Sequence, residues 1–196
     1  MSFKGLEMNR ILIILIFVFT SQACDYKRDS IGGNDDIVVL AAKEDREKIG
    51  SLLSIVFNDT LLTPSPELFY NIKFAEPESF SALKTQTNLV IASIGDYELN
   101  PATKLTKDLL GESAFNKTLN DIPLILSRNQ FAKNQLFMII SGNDYDQIND
   151  YLVQNSTFIK QQFDENFFKK QASKFSEILI FHSISVYWFT YQVIET

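Results

Sequence analysis

Cys24 offers more chemistry than any other residue in this chain. It is the only cysteine, and it follows Ser21-Gln22-Ala23, an order that resembles the lipobox at which bacterial prolipoproteins are cleaved, here between Ala23 and Cys24. Ser21 stands where leucine is usual. A diacylglycerol on this thiol and an amide-linked chain on the freed amine would bury dozens of methylenes, at about 0.8 kcal/mol each, so attachment would be permanent. One cysteine and one histidine, His182, exclude an internal disulfide, a Cys/His zinc site and a redox thiol pair. A Ser-His-Asp triad would have to use His182, yet that residue lies in an apolar run, where a structural role is the commoner one, and no Gly-x-Ser-x-Gly elbow is present.

The remaining candidates are carboxylates. Glu67 and Glu76 belong to the proline-bearing loop and are the carboxylates on which an envelope hydrolase would have to draw. Asp144, Asp146 and Asp150 precede and open a helical pattern, where acids offset the positive helix end, and the glycine and terminal glutamate of a calcium loop are missing. Gly32-Gly33 lacks the lysine and the spacing of a phosphate-binding loop. No cofactor is expected, and the main functional reading is a non-enzymatic one.

Positioning Cys24 falls to a leader. Lys4 and Arg10 precede the apolar run Ile11 to Phe19, which is about half of what a spanning helix needs, so residues 1–23 read as a signal peptide. The whole chain carries a net charge of −6 and a pI near 4.8, and loss of the leader leaves 16 basic against 23 acidic side chains. Such a chain has no overall positive field to gather a phosphate backbone, so nucleic acid is not an expected partner. Residues 24–36 are polar and read as a lipidated tether, with one folded domain over 37–196.

Within that domain, Ile37 to Ala42 reads as a buried strand and Lys43 to Phe57 as a helix with Ile49, Leu52, Leu53 and Val56 on one face. Strands are expected at Leu68 to Phe74, Asn88 to Ile94 and Leu136 to Ser141. Helices are expected from Pro77 to about Lys84 and from Pro101 to Leu110, the latter ended by Gly111. Ser113 to Arg128 offers only a helical turn and a short strand at Leu124 to Leu126. Ile148, Leu152, Ile159, Phe163 and Phe167 form one stripe of a long helix near 143–175. The uncharged, β-branched and aromatic run Ile178 to Ile194 reads as a long strand or hairpin, with a membrane helix as the lesser alternative. Together these predict an α+β (or α/β) fold, a mixed sheet of about five to six strands with helices packed on it.

Several segments resemble a family of Bacteroidetes lipoproteins known as domain of unknown function 4837. They are Gly33-Asn34-Asp35-Asp36-Ile37-Val38-Val39, the Leu62-Thr63-Pro64-Ser65-Pro66-Glu67-Leu68-Phe69 loop, Asn88-Leu89-Val90-Ile91 and Ala132-Lys133-Asn134-Gln135. The resemblance implies an envelope lipoprotein of no known activity, cut short at Thr196. Asp29-Ser30-Ile31 and Asp59-Thr60-Leu61 look like the O-glycosylation acceptors of that bacterial envelope, at Ser30 and Thr60. The expected partners are therefore the membrane, through the lipid anchor, and an envelope protein that pairs with the apolar C-terminal stretch.

Overall fold

The computed structural model describes residues 27–58, 60–61 and 67–194, with backbone alone for residues 60, 61, 67 and 176–194. The expected cleavage and lipidation at Ala23 and Cys24, and the core of the proline loop, lie outside the described residues. In chain order come β1 (Asp36–Leu40), a 3-10 turn (Lys43–Asp45) leading into α1 (Arg46–Phe57), the two-residue strands β2 (Thr60–Leu61) and β3 (Glu67–Leu68), and β4 (Asn71–Ala75). A second 3-10 turn (Pro77–Ser79) leads into α2 (Phe80–Leu83). Then follow β5 (Asn88–Ile94), α3 (Pro101–Leu110), α4 (Glu112–Asn120), β6 (Leu124–Arg128), β7 (Leu136–Gly142) and α5 (Tyr145–Ile194).

The sheet runs β4-β1-β5-β7-β6, with the first four strands parallel and β6 antiparallel to β7. Parallel strands must be covered on both faces, which is why β5 and β7 read as near-continuous apolar runs and are buried at every position. Alternation assigns the faces. Ile37, Val39, Val90, Ala92, Leu136, Met138 and Ile140 point to one core with α1 and α5, whereas Val38, Leu40, Leu89, Ile91, Phe137 and Ile139 point to the other with α2 and α3. A mixed sheet of five strands with five helices, forming a single α+β domain, is the result.

The α5 stripe packs as its spacing demands: Ile148, Leu152, Ile159 and Phe163 are all at most 1% exposed, and Phe167 is half-buried. Tyr70, equally buried, stands edge-on to Phe57 and donates its hydroxyl to Asp164 Oδ1 at 2.8 Å. Burial first and that carboxylate second raise its pKa. Gly111 ends α3 as expected, at φ 76 and ψ 157, an extended mirror conformation that glycine adopts without a Cβ penalty.

Two expectations need correction. Residues 178–194 continue α5 as helix instead of forming a strand or hairpin, because extending an existing helix adds a hydrogen bond for each residue fixed without a new nucleus. The edge strand that was to recruit a partner is therefore not there. No helix among the described residues is long and apolar enough to cross a membrane.

The tether is shorter than its composition suggested. Asp29 bridges Lys133 and Ile31 bridges Gln86, both in parallel, while Ser30 and Asn34 are buried. Backbone pairing, not apolar content, docks this arm, so the folded unit starts before Ile37.

Candidate functional site

Open sheets of parallel strands commonly bind ligands at their carboxyl ends, where the chain order reverses. In this sheet the reversal lies between β1 and β5. Asn100 occupies the place: its Oδ1 accepts from the backbone N–H of Ala102 at 2.9 Å and of Thr103 at 3.3 Å, and its Nδ2 donates to Asp45 Oδ2 at 2.7 Å. The polar groups there satisfy one another, and Asn100 is 6% exposed. Asn100→Ala removes both the N-cap of α3 and the link to Asp45, and is expected to cost about 1–2 kcal/mol of stability, read from the urea midpoint.

Polar groups with chemistry to spare gather instead at the amino ends of the strands. The arm threads between two loops: Ser30 N–H donates to the Lys133 carbonyl and Lys133 N–H to that of Arg28, while on the other side Ile31 N–H donates to the Thr85 carbonyl and Thr87 N–H to that of Ile31. Lys27 Nζ adds bonds to the carbonyls of Asn129 and Gln130 at 2.9 and 3.1 Å. Asn129 and Asn134 hold the receiving turn in the left-handed region, at φ 57 and 59.

Beneath the arm lies Lys170, 6% exposed, projecting from α5. Its ammonium donates to the Ser30 carbonyl at 2.9 Å, to Ser30 Oγ at 3.0 Å and to Thr87 Oγ1. Desolvation is the main cause of a lowered pKa, the Lys174 charge adds to it, and Asp29 opposes it. A lysine beside two hydroxyls is a way to activate a nucleophile. Here Ser30 Oγ donates to the Asn134 carbonyl and Thr87 Oγ1 to that of Ile31, so both hydroxyl protons are committed to the backbone. The network extends through Asn166 Nδ2, which donates to Asn88 Oδ1 at 3.2 Å, and Asn88 Nδ2, which donates to the Asn34 carbonyl at 2.9 Å. Its geometry staples the arm to β5 and α5.

Beside this network opens a groove of about 430 Å³. Asn34 and Asp35 form its arm side, Phe69 and Phe167 stand together with centroids 5.0 Å apart, and Gln171 and Lys174 follow on α5. Phe167, Gln171 and Lys174 are spaced four and three apart, which places them on one helix face. Asn34 is 5% exposed, and its Oδ1 has no hydrogen-bond partner among the described residues. Buried acceptors are rarely left unpaired, and this one belongs to a residue that lines the groove.

The residues singled out from sequence do not converge. Glu76 lies beyond the carboxyl end of β4, exposed, in an ion pair with the partly buried Arg46 at 2.7 Å, and Glu67 lies in β3 before the amino end, with its side chain outside the described residues. The side chain of Thr60 in β2 is outside them as well. Ser30 is enclosed with its hydroxyl engaged, so the folded domain does not present it to a glycosyltransferase. Among the described residues no three His, Cys, Asp or Glu groups gather to hold a metal. Sequence reasoning passed over Lys170, Asn166 and Asn34. A signal existed for two of them, since Asn166 and Lys170 continue the buried Ile159 and Phe163 stripe as polar members.

The family model for Domain of unknown function (DUF8532) matches residues 30–176, from the arm to the part of α5 just past the groove. No curated protein and no solved structure matches the chain. The matching family is a different one from domain of unknown function 4837, so the short strand and loop resemblances did not identify the relationship. With about three quarters of its length matched, the chain belongs to the family of Domain of unknown function (DUF8532).

Proposed function

We propose that this protein is a lipid-anchored component of the bacterial cell envelope, attached through Cys24, that works by binding rather than catalysis. The observation that carries the binding role is the groove itself, whose lining combines two aromatic rings with Asn34, Asp35, Gln171 and Lys174, the Asn34 Oδ1 behind it lacking a partner among the described residues. The aromatic pair supplies apolar contact, while Asp35, Gln171 and Lys174 supply polar groups that fix orientation, the mixture usual in ligand sites. The leader and the Ala23-Cys24 junction support the address.

Two measurements test this reading. Metabolic labelling with a fatty acid should mark the wild type and not Cys24→Ala; an unlabelled, soluble wild type refutes the anchor. Native mass spectrometry of the protein extracted from its membrane should show a non-covalent adduct that Asn34→Leu loses, and a bare wild type refutes the groove as a binding site.

A further inference from the structure

We infer that the amino edge of the sheet is the face that this domain lays on a bilayer, and that it docks there on anionic phospholipid head groups. The inference rests on the lipid-anchored reading for its geometry, and on the charge and exposure of the edge for its chemistry.

Lys27 is already held by the turn at Asn129 and Gln130, and it is the third residue after Cys24. Three extended residues span at most about 11 Å. An acylated Cys24 would therefore keep this edge, and no other, within reach of the head groups.

The edge is basic in a chain that is acidic overall. Lys27, Arg28, Lys84, Lys133, Lys169 and Lys174 are all exposed there, and none of the six is ion-paired among the described residues. Nearby acids are fewer and engaged: Asp29 and Asp35 each accept from an asparagine amide, while Asp36 is paired with Lys73 at 2.7 Å, Glu165 with Arg128 at 3.0 Å and Asp164 with Lys160 at 2.7 Å. At the opposite edge, Glu98, Asp144 and Asp146, with Asp96 in an ion pair with Lys107 at 2.6 Å, follow the carboxyl ends of β5 and β7. A dipolar domain of this kind orients on an anionic surface with its cationic end inward.

Apolar side chains accompany the cations. Phe168 and Phe175, seven residues apart on α5, are each 63% exposed, and Ile31 on the arm is 52% exposed. Bulky apolar groups interleaved with lysines are what an interfacial contact requires. From Lys170, α5 also continues to Ile194, and its stretch 178–194 contains no Asp, Glu, Lys or Arg. At 1.5 Å per residue the stretch begins about 12 Å and ends about 36 Å beyond the lysine.

The test uses the full mature chain, in which an acylated Cys24 leaves only an introduced thiol to label. A fluorophore on Phe168→Cys and one on Tyr97→Cys are compared in vesicles of phosphatidylglycerol and phosphatidylcholine and in vesicles of phosphatidylcholine alone. In the anionic vesicles the label at 168 should be at least threefold less accessible to acrylamide than the label at 97. Raising salt from 0.05 to 0.5 M, or adding Lys133→Glu with Lys174→Glu, should remove most of that difference. Equal accessibility at the two sites overturns the inference. If the intact mass shows no acyl chain, the anchoring reading fails, and flotation of the chain with and without Lys133→Glu and Lys174→Glu decides the docking. Chain that rises with phosphatidylglycerol vesicles but not with phosphatidylcholine ones, and no longer rises once the two lysines are replaced, upholds the inference; chain that rises with neither, or rises regardless of the replacements, overturns it.

Discussion

Phe163→Ala will remove about 3–5 kcal/mol of folding stability, the range typical of a fully buried aromatic truncated in a core that cannot close around the loss. The ring is 0% exposed and meets Phe57 edge-on at 4.8 Å between centroids and Tyr70 at 6.1 Å. It thereby joins α5, α1 and the segment before β4, three elements far apart in the chain. Each aromatic pair adds about 0.5–1.5 kcal/mol beyond its buried area, so the substitution loses transfer energy, packing and pair geometry together. Urea denaturation followed by far-UV circular dichroism measures the effect. Phe158→Ala, at a position 56% exposed on the same helix, serves as the control and should change stability by no more than about 0.5 kcal/mol. Equal effects at the two positions would mean that α5 does not pack on the sheet by the stripe described.

Lys170→Ala should be the most costly polar substitution, at about 2–4 kcal/mol. It strands the Ser30 carbonyl, whose hydrogen bond is the lysine's, and strips one donor from each of two buried hydroxyls. It also removes methylenes packed under the arm. Lys170→Met keeps those methylenes and should cost roughly half as much, because relief of the buried charge offsets part of the lost bonding.

The pH dependence gives this pair of variants a sharper test. The folded pKa of Lys170 lies below its ordinary value of 10.5, so between the two the unfolded chain binds the extra proton. Stability attributable to this residue therefore rises with pH through that window and is smallest below it. The wild-type minus Lys170→Met difference in urea midpoint should grow as pH approaches 10.5. A difference that is flat, or that shrinks, would show that the ammonium is not desolvated by folding.

Most strands were legible because a parallel sheet needs residues buried on both faces and so writes itself as apolar runs; Asn88–Ile94 needed no adjustment. α4 and β6 were read short for the opposite reason. In α4 only Phe115 and Thr118 are buried, which gives no stripe to follow, and β6 is half-buried along its whole length with a polar end. Residues 178–194 went wrong because an uncharged run whose few polar residues fall at no regular spacing carries neither a period of two nor of 3.6, leaving β-branched composition to decide. At the amino edge the sequence hid its content more thoroughly. The arm docks through backbone bridges and buried Ser30 and Asn34, residues whose types suggest solvent, while the carboxylates that attracted notice lie on opposite sides of β4.

The bond between Ser30 and Lys170 spans 140 residues, and that separation dictates the order in which the molecule is completed. The arm leaves the ribosome first, yet every partner it needs is made later, the lysine last of all. Contacts this remote form late in folding, because the intervening chain must be closed before they contribute. Were the chain exported as proposed, the arm from Lys27 would thus stay unsecured and threadable through a narrow translocation pore until arrival of the final helix shuts it into place.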